Sequence, residues 1–275
     1  MELNQKRRLT IIGALLILHG VSIYQFGFKM LLITGVAIAA SLTVELLATK
    51  LRKEKYDFTS YFISPLVISL IITHHVYDHV WMIGLGIAFG IFFAKSLFGG
   101  QDKNIFNPVA LGIIFMLLSF PTYLLNTNTG NASGELFVYV TLALALLLMT
   151  FKVLSPYMLL TYLLSLVGIY GVFNLINSTN PSINFILFNT HMVFVGVFMG
   201  TEKSSGAKHK IGQVIYGLVL ALLVWLINTQ SSNTEFAAIY AILLINALAP
   251  QIDSFVDAYL VKPEASEEVL TWRIL

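Results

Sequence analysis

Residues 98–112, FGGQDKNIFNPVALG, place Gly99, Gly100, Gln101, Asp102, Asn104 and Asn107 directly ahead of Pro108, where an apolar helix begins. In hydrocarbon each unpaired backbone group costs several kcal/mol. Irregular polar chain is therefore kept only where protein buries it or where it lines a cavity. Pro108 suits a first helical turn, and free amides at such a helix start can bind an anion or a ring carbonyl. The same residues also read as a tight turn with an asparagine cap. A second polar break, GTEKSSGAKHKIG at 200–212, sets Thr201, Ser204, Ser205 and Gly206 beside Lys203, Lys208 and Lys210. Its hydroxyl and backbone donors with added positive charge could hold a flavin edge or a phosphate. It lacks the spacing of a phosphate-binding loop, and a plain basic loop is the alternative. We expect Asn104 and Asn107 to converge with Ser204, Ser205 and Gly206 on one pocket.

Two further clusters carry chemistry. In THHVYDH, residues 73–79, His74, His75 and His79 with Asp78 have plausible metal-ligand spacing. Interfacial polar groups or a pH-sensitive role are the competing readings, and no metal site is assigned. In INALAPQID, residues 245–253, Asn246, Pro250 and Asp253 interrupt an apolar helix. An ionisable group inside a membrane is by default a functional candidate, whereas one at the interface is merely solvated. Glu45 and Lys95 pose the same choice, and Lys95 can snorkel. His19 and His191 lie deeper in apolar runs and read as hydrogen-bonded packing histidines.

Composition sets the elements that must position these groups. Hydrophobic residues make up 57% of the 275-residue chain and charged residues 11%, with a mean hydropathy of +0.82. Such a balance is that of an all-α polytopic membrane protein, not a soluble domain. Cysteine is absent, which excludes a thiolate metal site or a cysteine nucleophile, so redox chemistry would need a bound cofactor. A net charge of +2, spread over loops, offers no nucleic-acid surface. Against the roughly 20 residues that cross a bilayer, the apolar runs give ten segments, about 9–25, 28–49, 59–73, 80–97, 107–125, 136–151, 155–177, 183–200, 211–228 and 235–256.

With the N-terminus in the cytoplasm, every lysine and arginine except Lys29 falls inside, a strong positive-inside bias. Both termini are then cytoplasmic. The basic start leads into an apolar run with no A-x-A-like cleavage site after Gly20, so it reads as an uncleaved first helix. We expect one transmembrane domain over 1–257 and a cytoplasmic tail over 258–275. The ten segments divide five and five, as repeat one at about 9–125 and repeat two at about 136–257 in inverted orientation. Thr73 and Thr201 each close a short segment, and their separation nearly matches that of Pro121 and Pro250. Inverted repeats with short or Gly/Pro-interrupted segments commonly hold a site at the midplane.

In this order and spacing, FGGQDKNIFNPVALG, GTEKSSGAKHKIGQVIYG and LLINALAPQID resemble the membrane subunits grouped as the B subunit of sodium-translocating NADH:quinone oxidoreductase, the D subunit of the Rnf electron-transport complex, and related membrane proteins of enediyne biosynthesis clusters. The resemblance covers roughly residues 30 to 257. It implies a ten-helix inverted-repeat fold like that of urea transporters, with flavin between the repeats and electron transfer coupled to ion movement. It also implies partner membrane subunits, quinone as a reaction partner, and the bacterial inner (plasma) membrane. By the resemblance, Gly99, Gly100, Asn104, Asn107, Pro108, Thr201, Ser204, Ser205, Gly206, Asn246 and Asp253 become candidate cofactor-binding residues.

The chain departs from the family pattern at two places. Members with covalent FMN attach it to Thr in an SGAT motif of an outer loop. Here NTNTGNASGELF has Ser133 and Gly134 but then Glu135 and Leu136, leaving Thr127 and Thr129 as nearby hydroxyls. Covalent FMN is not expected, which leaves noncovalent riboflavin or FMN. Glu202-Lys203 stands where the family commonly has Asp-Pro. The leading reading is an electron-transfer subunit. The alternatives are a small-solute transporter or channel on the same scaffold, and a cofactor-free assembly scaffold. No nucleophile-base constellation supports an enzyme acting alone.

Overall fold

A computed structural model describes residues 3–54, 56, 58–72, 76–98, 100, 103–125, 135–176, 190–230 and 236–259, and among these the regular structure is entirely helical. The helices are α1 Leu3–Phe26, α2 Lys29–Arg52, α3 Phe58–Ile72, α4 Trp81–Gly90, α5 Pro108–Ser119, α6 Pro121–Leu125, α7 Glu135–Thr150, α8 Pro156–Ile176, α9 Thr190–Val195, α10 Lys210–Gln230 and α11 Ala237–Tyr259. Two of them change pitch at their C-terminal ends. A π-helical stretch, Ile91–Ser96, continues α4, and another, Gly196–Gly200, continues α9. Such π segments are rare and often lie at functional sites.

Among the described residues five helices, α1, α2, α8, α10 and α11, are long and apolar enough to cross a membrane, and α3, α4, α5, α7 and α9 form a shorter apolar set. Their surfaces explain what holds them. His19, Ser22, Ser41, Glu45, Thr49 and Ser69 are buried, while Leu16, Ile17, Leu31, Leu32 and Leu47 are exposed. Leu51 and Leu175 are 83% and 90% exposed. In water this arrangement would forfeit apolar burial at about 25 cal/mol per Å². Against lipid it costs nothing, and the polar groups gain partners inside.

Helix ends follow local chemistry. Gly27, at φ +78°, makes the α1–α2 turn, and Lys53, at φ +57°, closes α2 with its N–H on the carbonyls of Lys50 and Thr49. Lys50 and Arg52 in that last turn oppose the helix dipole. The expected continuous fifth segment is divided. Phe120, with φ −134° and ψ 49°, leaves the helix ahead of Pro121, which starts α6. The proline ring disfavours helical geometry in the residue before it.

Packing within the two halves runs in parallel. In the first, α3 packs on α1, α2 and α5, and α4 packs on α2 and α5. In the second, α9 packs on α7 and α11, and α10 packs on α8 and α11. Between the halves, α1 lies on α7 and α5 on α11.

Small residues allow the closest approaches. A Cβ on Gly90 would stand 2.0 Å from the Pro108 carbonyl oxygen, and one on Gly112 would stand 2.5 Å from that of Gly86. Gly90→Ala should therefore push α4 from α5 and cost about 1–3 kcal/mol. Gly168→Ala, where nothing lies within 4 Å, should be neutral or slightly stabilising. Thermal unfolding in mild detergent, read by circular dichroism, separates the two; equal midpoints would contradict the α4–α5 packing.

Candidate functional site

Asn107 is the knot of the polar site. Its backbone is extended, and its Oδ1 accepts from the amides of Val109 and Ala110 at 3.0 Å each, capping α5 with Pro108 at the first helical position. Its own N–H donates to Asn246 Oδ1 on α11 at 2.9 Å. Its Nδ2 donates to Glu202 Oε2. Asn246 is fully buried and spends its amide on the Ser205 carbonyl (3.1 Å) and the Tyr216 hydroxyl (2.9 Å). One asparagine cap thus ties α5 to α11, α10 and the turn at 201–206.

Glu202 gathers the second layer. Besides Asn107, it accepts from Ser204 Oγ at 2.8 Å and Asn104 Nδ2 at 3.3 Å, and Asn104 also donates to the Phe106 carbonyl at 3.2 Å. Burial pushes the Glu202 carboxyl above its ordinary value. The bonds from Ser204, Asn104 and Asn107 and the charge of Lys95 oppose that shift without cancelling it.

These residues border a cavity of about 330 Å³, at the low end of the ~300–1,000 Å³ typical of small-molecule sites. Its apolar wall includes Ile11, Ile63, Val67, Phe198 and Met199, and its polar wall includes Ser60, Ser64, Thr201 and Ser204. Four basic side chains line it, Arg7 and Arg8 from α1, Lys95 from the π-helical stretch after α4, and Lys203. Lys95 forms a buried ion pair with Glu45 of α2 and lies 3.3 Å from Ser60 Oγ. Stranding one partner of such a pair costs about 3–5 kcal/mol. Arg7 Nε donates to the Val153 carbonyl at 2.7 Å, anchoring α1 to the α7–α8 turn.

The remaining predicted residues divide. Pro108 and Thr201 line the cavity, and Thr201 Oγ1 donates to the Val197 carbonyl. Ser205 is buried beside it, with an Oγ that has no partner among the described residues. Gly206 closes the turn, its N–H on the Glu202 carbonyl at 3.1 Å; a Cβ there would meet that oxygen at 2.8 Å. Gly100, at φ +88°, leaves no room for a side chain beside the Arg52–Glu54 ion pair. Asp253 is not brought to the cavity. It accepts from the amides of Lys208 (3.0 Å) and His209 (3.5 Å) ahead of α10.

Gly99, Gln101, Asp102, Thr73, His74, His75 and residues 126–134 lie outside the described residues. His79 packs against the Tyr123 ring and Asp78 pairs with Lys29 at 3.3 Å. No group of three or more metal-ligating side chains occurs among the described residues. His19 bonds the Leu15 carbonyl (2.8 Å) and Ser69 (3.0 Å), and His191 the Ile71 carbonyl (3.1 Å), both as packing groups. Sequence reasoning passed over Glu202, Tyr216, Ser60 and Ser64 as site residues and used Arg7 and Arg8 only for topology. The signal for Lys95 and Glu45 was present, since opposite charges in neighbouring apolar segments must find each other.

The NQR2, RnfD, RnfE family model matches residues 3–130 and 122–262. The chain is 24% identical to the B subunit of the Na(+)-translocating NADH-quinone reductase of Ectopseudomonas mendocina, across 82% of this chain and 66% of the relative. The corresponding reductase protein of Azotobacter vinelandii is 25% identical, with the same 82% and 66% coverage. The D subunit of the ion-translocating oxidoreductase complex of Actinobacillus succinogenes is 24% identical, across 92% of each chain. The chain thus spans just under two thirds of the length of the two reductase relatives.

Glu202 has a testable signature. Because its folded-state pKa is raised, the native protein holds this proton more tightly than the unfolded chain. The resulting stability is full below the ordinary carboxylate range and is lost as pH rises through the raised value. Glu202→Gln removes that proton exchange. The stability of wild type relative to Glu202→Gln should fall as pH is raised from about 4 to about 8; a flat or rising difference in thermal midpoint would contradict the buried carboxyl.

Proposed function

The chain belongs to the NQR2, RnfD, RnfE family, and from that premise we propose that it is the electron-transfer membrane subunit of an ion-translocating oxidoreductase complex, holding a noncovalent flavin or a quinone in the cavity at Asn107 and Glu202. The single observation that carries this reading is that cavity. Residues from α1, α3, the π-helical stretch after α4, the start of α5 and the 201–204 turn meet around it. A flat redox ring needs an apolar slot with a few donors to its carbonyls. Ile63, Val67 and Phe198 provide the apolar side, and Ser60, Ser64 and the basic side chains provide the donors, so the residues fit such a ring. Bound there, a flavin would supply one- and two-electron chemistry. This chain's residues hold and orient it, exclude lipid and water, and tune it through nearby charge.

The asparagines act one step back. Asn104 and Asn107 hold Glu202, and Asn246 holds Asn107, which fixes the wall that a ligand would meet. The noncovalent form follows from Glu135 and Leu136 standing where the attachment motif has Ala and Thr. The matching packing of α1–α5 and α7–α11, with α1 on α7 and α5 on α11, supports two inverted five-helix repeats. The basic-residue bias supports cytoplasmic termini and a cytoplasmic mouth for the cavity, in a bacterial inner membrane. Partner membrane subunits would exchange electrons with this chain.

Two measurements test these points. Protein purified in mild detergent should absorb in the visible as a flavin does, and denaturation should release the pigment intact and leave a colourless polypeptide. A well-folded colourless preparation that drives solute uptake in proteoliposomes would replace this reading with the transporter. For orientation, reporter fusions at Thr129 and Asn180 should read outside and one at Lys208 inside; a cytoplasmic signal from Thr129 would break the five-plus-five arrangement.

A further inference from the structure

The ionisable groups on the cavity wall are of unequal standing. Lys95 is neutralised by Glu45. Glu202 is enclosed by Asn104, Asn107 and Ser204. Arg7, Arg8 and Lys203 border the same space from two separate elements, α1 and the turn after α9. Arg7 is close enough that its charge, more than burial, holds the Lys203 ammonium below its usual range. Like charges gathered at a cavity cost free energy that an anion among them removes. Arginine adds a planar donor fork that suits a phosphate.

We propose that Arg7, Arg8 and Lys203 receive the phosphate monoester of a flavin mononucleotide, so that this cavity selects noncovalent FMN over riboflavin. The inference rests on the flavin reading above and narrows its ligand class. A neutral ribityl chain has no group for this wall, whereas a phosphate monoester carries about −1.5 to −2 charges at neutral pH, as phosphorylated side chains do. The apolar residues beside it, Ile11 and Leu154, leave the remainder of the space to the ring and chain. Arg7 is already fixed by its bond to the Val153 carbonyl. Lys203 stands on an exposed turn, so Lys203→Gln changes charge with little effect on folding.

The full chain in phosphatidylcholine nanodiscs is titrated with FMN and with riboflavin, following the quenching of flavin fluorescence. FMN should bind about tenfold or more tightly than riboflavin, the yield of one charge-assisted phosphate contact. Lys203→Gln and Arg8→Gln should each weaken FMN about tenfold and leave riboflavin unchanged, and Lys203→Arg should restore FMN. Inorganic phosphate should compete with FMN and not with riboflavin.

Equal binding of the two flavins overturns the phosphate assignment and leaves the flavin reading standing, while binding of neither overturns both. An FMN preference that survives in both variants removes these residues from the site. A third source of phosphate is a lipid headgroup. If phosphatidylglycerol nanodiscs stabilise wild type but not Lys203→Gln, and abolish FMN preference, the wall is a headgroup site and the FMN assignment falls.

Discussion

The hydrogen bond from the Asn107 amide to Asn246 Oδ1 is the contact through which the two halves of the polar site are joined. A chain this apolar gains little by burying more hydrocarbon against lipid, so its specificity rests on polar groups that can be satisfied in one arrangement only. Asn107 satisfies four at once. It caps two amides of α5, donates its own N–H to α11, and donates its side chain to Glu202. Without it, the start of α5 would lose its cap, at about 0.5–2 kcal/mol. Asn246 Oδ1 and Glu202 would each lose a donor, at a further cost of about 1–3 kcal/mol for each buried group left unpaired.

The π-helical stretches serve the same end by different means. At Ile91–Ser96 the wider turn carries Lys95 to Glu45 and to the cavity edge. At Gly196–Gly200 it brings Phe198 and Met199 to the apolar wall just before Thr201 and Glu202. The glycines there sit directly against neighbours. A Cβ on Gly196 would meet the Tyr162 ring at 2.3 Å, and one on Gly200 the Met158 methyl at 2.3 Å. Close packing beneath the site and an altered pitch at its rim thus set the cavity's shape together.

Much of this was legible in the chain because membrane sequences declare their costs. Each of the ten apolar runs carries helix among the described residues, and the polar breaks at 98–112, 200–212 and 245–253 stood out as residues that lipid would not tolerate unpaired. Their meeting could be anticipated from that argument. Their division of labour could not. Asparagine at a helix start reads the same whether its amide faces a ligand or a buried carboxylate, and only three-dimensional placement shows that Asn107 and Asn246 spend their hydrogen bonds on protein. Asp253, equally prominent in sequence, turned out to order the start of α10 instead. Phe120 was missed because the hydrophobic run continues through it, while the proline after it redirects the backbone without changing the polarity of the segment.

Arg7, Arg8 and Lys203 show why charge in such a chain resists a single interpretation. Counted by loop, they are three of the basic residues that orient the protein in the membrane. Placed in space, they border the cavity where Glu202, Asn104 and Asn107 meet. The two roles are compatible because both require the same thing, a cation held on one side of the hydrocarbon at the mouth of a helix bundle. Since Asn104, Asn107 and Asn246 are committed to Glu202, Phe106, Ser205 and Tyr216, discrimination at this cavity shifts to the side chains facing its space. Those are the serines of α3 and the cations of α1 and the 201–204 turn. The asparagine network then sets where that wall stands, and the charged wall sets what it recognises.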